Sequence, residues 1–431
     1  MASTKRALAV TAAVLITAAA CSSNKSSGSG GSSSSSASGS SAVSSGTGSS
    51  GSTPGVTATE IHIGGIYYKA FYGDAEVGAQ ARIKQLNDAG GVFGRKIVLD
   101  TMIDEGQDET ADLNAAKTLV QQDHEFAVAP VMTASFAGAT YLNTAKVPFF
   151  GWSIEPRWCG LAYGFGFEGN DCDETKTPLA ADAGPAIAKL FPDDSVVGKT
   201  IALTAEDNQS AEVALKSFAA GAEHDSMKVV LVDTSMPTPP AVVSDYTPYA
   251  EKIMTSNNGG PPDMVETVNS VSDTIGLYKK LIQLGYKGIV LDFTLYDPRL
   301  AASTKGLVTE ISFSPFETAS TNPAVQQMIT ALKAYQPNIL LSQPVAAGYW
   351  TMDLFIAMLE KVGPNLTRDS FMKVANNFTY DFHGGAGTVS FPKDKMGTIP
   401  CLSYVRSNGT TFDVPVPLTC LSTYPNPLLT K

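Results

Sequence analysis

Histidine is scarce in this chain, with four in 431 residues. The sequence has no His-Glu-x-x-His motif, no Walker loop and no Gly-x-Gly-x-x-Gly run after a predicted strand. Residues 151–155, Gly-Trp-Ser-Ile-Glu, follow a strand but lack the second glycine of a nucleophile elbow. These gaps predict a protein that is not an enzyme and that holds neither a cofactor nor a metal. A secreted hydrolase acting through Ser153 is the weaker alternative.

Basic residues are also fewer than acidic ones, with 30 Lys and Arg against 41 Asp and Glu. An acidic surface counts against nucleic acid and anionic membrane as direct partners. Beyond the N-terminus there is no apolar run of about 20 residues, so nothing there is expected to span a bilayer.

The N-terminus has the pattern of a secretory signal peptide. Lys5 and Arg6 precede an apolar run over 7–20, which ends in three alanines before Cys21. The cysteine at this position resembles a bacterial lipobox, in which it is lipidated and becomes the new N-terminus. We therefore expect residues 1–20 to be a lipoprotein signal peptide and Cys21 to carry the lipid. Plain secretion, with a free thiol at Cys21, is the alternative.

The segment that follows is almost devoid of apolar side chains. Residues 22–55 contain 18 Ser and 8 Gly, too little apolar surface to offset the entropy of ordering. We expect 21–55 to be a lipidated cysteine followed by a disordered tether, with an end-to-end reach on the order of 30 Å.

Four cysteines remain after Cys21 in this exported chain. Their even number implies disulfides, and the local pairs Cys159–Cys172 and Cys401–Cys420 are favoured over the other connectivities. The second pair encloses Asn408-Gly409, a hairpin turn signal. A zinc site is the less favoured alternative, because no two cysteines have the spacing of a metal knuckle.

Asp171, Asp173 and Glu174 could hold calcium, but a solvated acidic loop is the preferred interpretation.

Strand and helix patterns alternate along the rest of the chain. The first run has strands near 61–66, 96–103, 126–132 and 147–152, with helices 74–88, 108–123 and 135–144. The second run has helices 177–190, 210–222, 245–256 and 273–284, with strands 200–204, 228–233, 264–269 and 288–293. Such alternation predicts an α/β fold with helices on both faces of parallel sheets. Two runs, followed by late helices and short strands, predict two doubly wound lobes joined by several hinge crossovers.

Residues 87–97, Asn-Asp-Ala-Gly-Gly-Val-Phe-Gly-Arg-Lys-Ile, carry a family resemblance. This segment is similar to the glycine signature after the first helix of leucine/isoleucine/valine-binding proteins. Those are type I periplasmic binding proteins of ABC importers. Residues 384–391 extend the resemblance, which covers most of 59–410. It implies lobe 1 from 56–172 and 317–378, and lobe 2 from 173–316 and 379–431.

The resemblance also implies a function. We expect a monomeric solute-binding lipoprotein on the outer face of the bacterial cytoplasmic membrane. It would capture an amino acid, an amide, or an aromatic or apolar acid between closing lobes and deliver it to an ABC permease. A surface receptor that senses the ligand without transport is the alternative.

Ligands of open α/β sheets bind where strands end, so the loops after strands supply the candidate site. In the family, Ser/Thr-bearing loops of the first lobe hold the ligand carboxylate, and Thr133, Ser135 and Ser153 match those loops. An equal alternative is that Ser135 only caps a helix. The other candidates are the apolar walls Tyr68, Phe71 and Trp152 and, from lobe 2, Asp207, Asn269 and Tyr296. The ammonium group of an amino acid would need a carboxylate, from Asp207 or Asp297.

Overall fold

The computed structural model of this protein describes residues 53–239 and 241–429. The predicted signal peptide, Cys21 and residues 22–52 of the tether lie outside that range. Residues 53–55 were also expected to be disordered, but they form a turn whose Gly55 carbonyl accepts a hydrogen bond from the His62 N–H. The strands, in chain order, are β1 Glu60–Tyr67, β2 Lys96–Asp104, β3 Ala127–Met132, β4 Phe149–Gly151, β5 Gly164–Gly166, β6 Leu179–Ala181, β7 Thr200–Glu206, β8 Lys228–Met236, β9 Met264–Val268, β10 Ile289–Asp292, β11 Val308–Ile311, β12 Thr379–Tyr380, β13 Val389–Ser390, β14 Cys401–Ser407, β15 Phe412–Cys420 and β16 Thr423–Pro425.

The α-helices fall between these strands, with a block of three after β11. They are α1 Lys69–Tyr72, α2 Asp74–Asp88, α3 Glu109–Gln121, α4 Ala139–Thr144, α5 Gly184–Ala188, α6 Gln209–His224, α7 Thr247–Met254, α8 Val271–Gln283, α9 Pro323–Tyr335, α10 Gln343–Val362 and α11 Arg368–Ala375. Within residues 53–239 and 241–429, none of the helices combines the length and the apolar content that crossing a membrane requires.

The first sheet contains five parallel strands in the order β2-β1-β3-β4-β5. Its central strand β3 is buried along its whole length, as a strand covered on both faces should be. Helices α2, α10 and α11 pack on one face, and α3 and α4 pack on the other. The carboxyl ends of β1, β3 and β4 therefore open at one edge of this layered unit.

The second sheet has seven strands in the order β15-β14-β11-β10-β9-β7-β8. Strands β7 to β11 are parallel, and the hairpin β14–β15 adds two antiparallel strands at one edge. Helices α5 and α6 pack on one face, whereas α7 and α8 pack on the other. The two predicted runs of βα units are thus two parallel-dominant sheets, and the predicted α/β fold class is confirmed.

Helices α2 and α10 approach each other backbone to backbone. A Cβ atom on Gly78 would lie 2.0 Å from the carbonyl oxygen of Val345, and one on Gly348 would lie 2.0 Å from that of Ala75. No side chain fits at that distance, so glycine at both positions permits the crossing. Helix α10 is buried along most of its length because it lies between α2 and the first sheet.

Two predicted helices differ from the structure. The helix expected over 135–144 begins at Ala139, because the Ser135 N–H donates to the Thr133 hydroxyl and the Gly138 N–H donates to Asp112, which holds a turn. The helix expected over 177–190 is shortened to α5. The strand β6 replaces its start and pairs with β16, a partner more than 240 residues away that local sequence does not reveal.

The structure contains both predicted disulfides, Cys159–Cys172 and Cys401–Cys420. Cys401 and Cys420 are register partners at the end of the β14–β15 hairpin. At the opposite end, the Asn408 side chain accepts hydrogen bonds from the backbone of Thr410 and Thr411 and shapes the expected turn. The disulfide therefore closes the open end of a hairpin that the turn already sets in register.

The chain runs from the first sheet to the second after β5, returns after β11, and crosses again before β14. The segment 379–391 was expected to belong to lobe 2. The Phe382 ring contacts Trp350 of α10, and the Phe391 ring contacts Phe165 of β5. This segment therefore lies with the first sheet, and the last crossing falls between 391 and 401.

Candidate functional site

Four aromatic side chains form a connected group where β1 and β4 end. The ring centroids are 5.1 Å apart for Tyr68 and Phe71, 6.3 Å for Phe71 and Tyr72, and 6.0 Å for Tyr72 and Trp152. The Tyr68 N–H donates to the Met132 carbonyl, which ties the loop after β1 to the end of β3. The structure thus brings together the three predicted wall residues Tyr68, Phe71 and Trp152.

Tyr72 is the member of this group that the sequence analysis did not select. Its ring touches both Phe71 and Trp152, so it links the loop after β1 to the loop after β4. The run of aromatic residues over 67–72 was the sequence feature that could have identified Tyr72. Tyr67 of that run is not part of the site, because its side chain is buried in the core.

The predicted hydroxyl residues already have partners within the protein. The Thr133 hydroxyl donates to the Glu105 carboxylate at 2.8 Å and accepts from the Ser135 N–H at 3.0 Å. The Ser153 hydroxyl accepts from the Asp171 N–H at 2.8 Å, and Ser153 is buried. These contacts hold neighbouring loops in place, whereas the Ser135 side chain is half-buried at the same edge.

Asn269, at the end of β9, is the most informative polar side chain of the second sheet. It is 9% exposed, and neither its amide oxygen nor its amide nitrogen has a hydrogen-bond partner within the described residues. A buried unpaired amide costs about 1–3 kcal/mol, which a bound ligand would recover by supplying a donor and an acceptor. Asn269 is therefore poised for a polar ligand group.

The other candidates from the second sheet are placed differently. Asp207 is exposed immediately after β7, and its own backbone is held by Met236 and Thr238. Tyr296 is 1% exposed, and its hydroxyl donates to Glu317 and accepts from the Phe316 N–H. The structure does not bring Tyr296 together with the wall aromatics. It places this ring in a core cluster, where it helps to fix the loop after β10.

The carboxylate of Asp297 is also engaged. It pairs with the guanidinium of Arg299, which in addition donates to Asp74 on α2. Of the two carboxylates proposed for a ligand ammonium group, Asp207 is therefore the one that remains exposed.

Carboxylates from both sheets approach the aromatic group. Burial raises the pKa of the Tyr72 hydroxyl, and the carboxylates of Glu105 from the first sheet and Glu206 from the second raise it further. Tyr72 therefore lies between the two sheets. Burial also raises the pKa of Glu105, and the hydrogen bond from the Thr133 hydroxyl opposes that rise. Burial likewise raises the pKa of Glu206, where the hydrogen bond from the Ser270 N–H opposes the rise.

Glu168 adds a third buried carboxyl group beside Trp152. Burial raises its pKa to about 7, and the polar side chains of Ser312 and Trp152 oppose that rise. Glu168 follows β5 and Ser312 follows β11, so these groups lie where two of the crossings leave their sheets. The sequence analysis missed Glu105, Glu168 and Glu206, although each lies at or immediately after the end of a strand.

The arrangement is that of a binding cleft between two sheets. It has an aromatic wall on the first sheet, an unpaired amide on the second, and acidic groups from both. Such a cleft can stack an apolar body and hydrogen-bond a polar or cationic group.

Comparison with known proteins agrees with this geometry. A family model described as "Periplasmic binding protein" matches residues 63–410. No protein of curated function matches the sequence.

Several solved structures share the fold at low sequence identity. A fatty acid ABC transporter substrate-binding protein from Thermomonospora curvata has a TM-score of 0.69 at 16% identity, covering 88% of this chain and 96% of that protein. A possible leucine/isoleucine/valine-binding protein from Rhodopirellula baltica SH 1 has a TM-score of 0.68 at 12% identity, with coverages of 83% and 96%. A solute-binding protein of an ABC transporter from R. palustris, in complex with benzoate, has a TM-score of 0.64 at 13% identity, with coverages of 83% and 97%.

Proposed function

This chain belongs to the periplasmic binding protein family, whose members bind solutes and are not catalysts, and we propose that its cleft captures a small organic molecule for an ABC importer. The proposal rests on two observations: the aromatic group Tyr68, Phe71, Tyr72 and Trp152 where strands of the first sheet end, and the unpaired amide of Asn269 where β9 of the second sheet ends. Closure of the two lobes around the ligand would create the form that the permease recognises.

The charges of the cleft favour a ligand that carries an amino group as well as an apolar part. The carboxylates of Glu105 and Glu206 both raise the pKa of Tyr72, while Glu168 follows β5 and Asp207 follows β7. A carboxylate ligand without an amine would face these groups unpaired, which costs free energy. The structural neighbours named above bind fatty acids or benzoate, or are assigned to branched-chain amino acids. Among these classes, an apolar amino acid or its amide fits this cleft best.

The polar contacts can be divided between the lobes. We propose that the amino group of the ligand lies near Glu105, Glu206 or Asp207. We also propose that Asn269 pairs with the ligand's carbonyl or carboxylate and that the half-buried Ser135 contributes a hydroxyl. Thr133 and Ser153 act as positioning residues through their partners Glu105 and Asp171.

A decisive experiment is native mass spectrometry of protein purified without denaturation, followed by calorimetry with a panel of leucine, phenylalanine, their amides and benzoate. We expect a co-purified mass or calorimetric binding in the amino-bearing group. Binding of benzoate alone would overturn the amino-group assignment. Conversion of any ligand during the experiment would contradict a binding function.

Export and anchoring are part of the same proposal. We propose that residues 1–20 are removed, that Cys21 carries a lipid, and that residues 22–55 tether the binding unit to the outer face of the cytoplasmic membrane. Support comes from the sequence pattern and from the extracytoplasmic setting of the family. Two disulfides in the structure are consistent with an oxidising compartment.

A further inference from the structure

A second cavity, of about 490 Å³, lies away from the cleft against the face of the second sheet that α6 covers. Its walls comprise the sheet, α6, the β6–β16 ribbon, and parts of two crossings, 171–178 and 393–401. Tyr68, Phe71, Trp152 and Asn269 do not line it. The cavity is therefore distinct from the proposed solute-binding cleft.

The interior of this cavity is apolar on most sides. Ile201 and Leu402 project from the sheet, Phe218 and Ala222 from α6, and Ile399 from the last crossing. A volume of this size falls within the range of small-molecule sites, about 300–1,000 Å³.

Six carboxyl groups also line the cavity: Asp171, Glu174, Asp225, Glu266, Glu310 and Asp394. Asp171 and Glu174 are the residues that the sequence analysis placed in a solvated loop. They are half-buried and face the cavity, which corrects that expectation. Asp173, by contrast, pairs with the exposed Lys176.

Glu266 is the side chain that points most directly to a ligand. It is 7% exposed, it lies in the middle of β9, and no hydrogen-bond donor contacts its carboxylate within residues 53–239 and 241–429. Burial raises its pKa to about 8, and Glu310 and Glu174 raise it further. An isolated buried carboxylate is costly unless a cation or a donor is supplied.

The cations of the protein do not meet this need. Lys393 reaches the rim, but its side chain is 83% exposed and pairs with Asp394. No ion pair involves Asp171, Glu174, Glu266 or Glu310 among the described residues. Burial also raises the pKa of Glu310 to about 7, with the Tyr404 hydroxyl opposing that rise, and it raises the pKa of Asp171 to about 8.

A bound metal ion fits the arrangement poorly. In the described part of the chain, the group whose ligand atoms lie within 4.8 Å of one another is Asp182, His224 and Asp225, and only Asp225 of these lines the cavity. The carboxylates of Glu174, Glu266 and Glu310 do not converge to that extent. A larger cation with its charge at one end suits separated carboxylates and apolar walls better.

We propose that this cavity binds a small organic cation, an ammonium group on an apolar body, with the ammonium on Glu266 and its neighbours Glu310 and Glu174. The apolar body lies against Ile201, Phe218 and Leu402. Because two interlobe crossings form part of the wall, occupancy of the cavity also braces the segments that must bend when the lobes close.

The test uses n-hexylamine as the probe and hexan-1-ol as its neutral counterpart, measured by calorimetry on the whole mature protein at pH 8. The amine is protonated at that pH. We expect n-hexylamine to bind at least tenfold more tightly than the alcohol. Glu266→Gln should weaken the binding of n-hexylamine at least tenfold. The second variant, Glu310→Gln, should weaken this binding as well.

The matched control is Glu212→Gln, which removes an exposed carboxylate of α6 that does not line the cavity and should leave n-hexylamine binding unchanged. Loss of binding in Glu206→Gln, which removes a carboxylate from the cleft, but not in Glu266→Gln would put the amine in the cleft and overturn the proposal. Equal affinity for amine and alcohol, or no binding of either, would also overturn it. These outcomes leave the proposed function of the cleft untouched, because Glu266 does not line that cleft.

A pH series provides a readout that a packing role would not give. The titratable groups that line the cavity around the probe are Asp171, Glu174, Asp225, Glu266, Glu310, Lys393, Asp394, Tyr404 and Tyr424. Between pH 8 and pH 6 the carboxyls with raised pKa values take up protons, so n-hexylamine should bind at least tenfold more weakly at pH 6. An unchanged affinity at pH 6 would contradict recognition by these carboxylates.

Discussion

The guanidinium of Arg299 donates a hydrogen bond to the carboxylate of Asp74 and so joins the loop after β10 to helix α2 on the first sheet. Asp74 also accepts from the Ser342 hydroxyl at 3.1 Å, and the Gln343 side chain donates to the Phe293 carbonyl at the start of the same loop. The structure therefore contains a polar tie between the two lobes that is separate from the three chain crossings.

Replacing Arg299 with Ala should loosen this tie. The Arg299 side chain is half-exposed, so we expect a loss of only about 1 kcal/mol in unfolding free energy. The larger effect should be on shape, with an increase in the radius of gyration of the ligand-free protein in small-angle scattering. Lys84→Ala, which breaks an exposed ion pair within α2, serves as the control. An unchanged radius in Arg299→Ala would show that the tie does not restrain the lobes.

In the cleft, Phe71→Ala should reduce the binding free energy of the identified ligand by about 2 kcal/mol, because binding energy concentrates in a few packed aromatic contacts. Phe71 is half-exposed in the free protein, so its thermal melt should change little. Calorimetry measures the first effect and scanning calorimetry the second. Tyr335→Ala, which removes a partly exposed aromatic at the end of α9, should leave affinity intact.

Asn269→Ala should have opposite effects on binding and on stability. Removing a buried amide without partners relieves a cost of about 1–3 kcal/mol, so the free protein should be as stable as the wild type or more stable. Ligand affinity should nevertheless fall, by about tenfold or more. A variant that loses stability and keeps its affinity would mean that Asn269 is a packing residue and not a ligand contact.

Stability should fall as pH rises through neutrality, and Glu125 provides the cleanest test. Burial raises its pKa to about 8, with Asp100 and Asp123 adding to the rise, whereas an unfolded Glu titrates near pH 4.3. Between these values the folded state holds the extra proton, so the unfolding free energy decreases with pH, and the full penalty is present above pH 8. Glu125→Gln should raise the melting temperature at pH 9 and change it little at pH 4. Ligand binding should be unaffected, and a lower melting temperature at pH 9 would contradict the assignment.

The fold was largely predictable because the βα alternation lies within local stretches of sequence. The strand over 126–132 appears in the structure as β3 with a shift of one residue, and the helix over 74–88 appears as α2 with the same bounds. The errors occur where a distant partner decides, as for β6, which pairs with β16. The spacing of apolar and polar residues around β6 does not indicate that pairing.

The site was less predictable for a related reason. Tyr68, Phe71 and Trp152 follow strands and were found by that rule, but Tyr296 follows a strand as well and turns into the core towards Glu317. Strand ends locate loops, whereas the direction of a side chain within a loop depends on tertiary contacts. Glu266 could not be selected at all, because a glutamate within a buried strand gives no sequence signal for a cavity.

Each disulfide should contribute about 3 kcal/mol in the chain-entropy model, given sequence separations of 13 and 19 residues. The double variant Cys159→Ala/Cys172→Ala should lower the unfolding free energy by about that amount in denaturant titration. Peptide mapping without reduction should recover the two linked pairs. Recovery of a peptide linking Cys159 to Cys401 would contradict the pairing.

Lipid attachment at Cys21 predicts the distribution of the protein between membrane and soluble fractions. Cys21→Ala should release it from the membrane, because no other lipid site is proposed and a single flexible tether carries the binding unit. Ser22→Ala, which leaves the cysteine in place, is the matched control. Retention of Cys21→Ala at the membrane would show that the anchor lies elsewhere.

The backbone contact between α2 and α10 restricts how this protein can be relabelled or diversified. Positions 78 and 348 tolerate no Cβ, so mutational libraries and spectroscopic probes on these helices must avoid both, whereas the outer faces of the same helices remain open to substitution. In a set of related sequences, glycine at one position should be accompanied by glycine at the other, and joint loss of the pair would mark a lineage in which the two helices have moved apart.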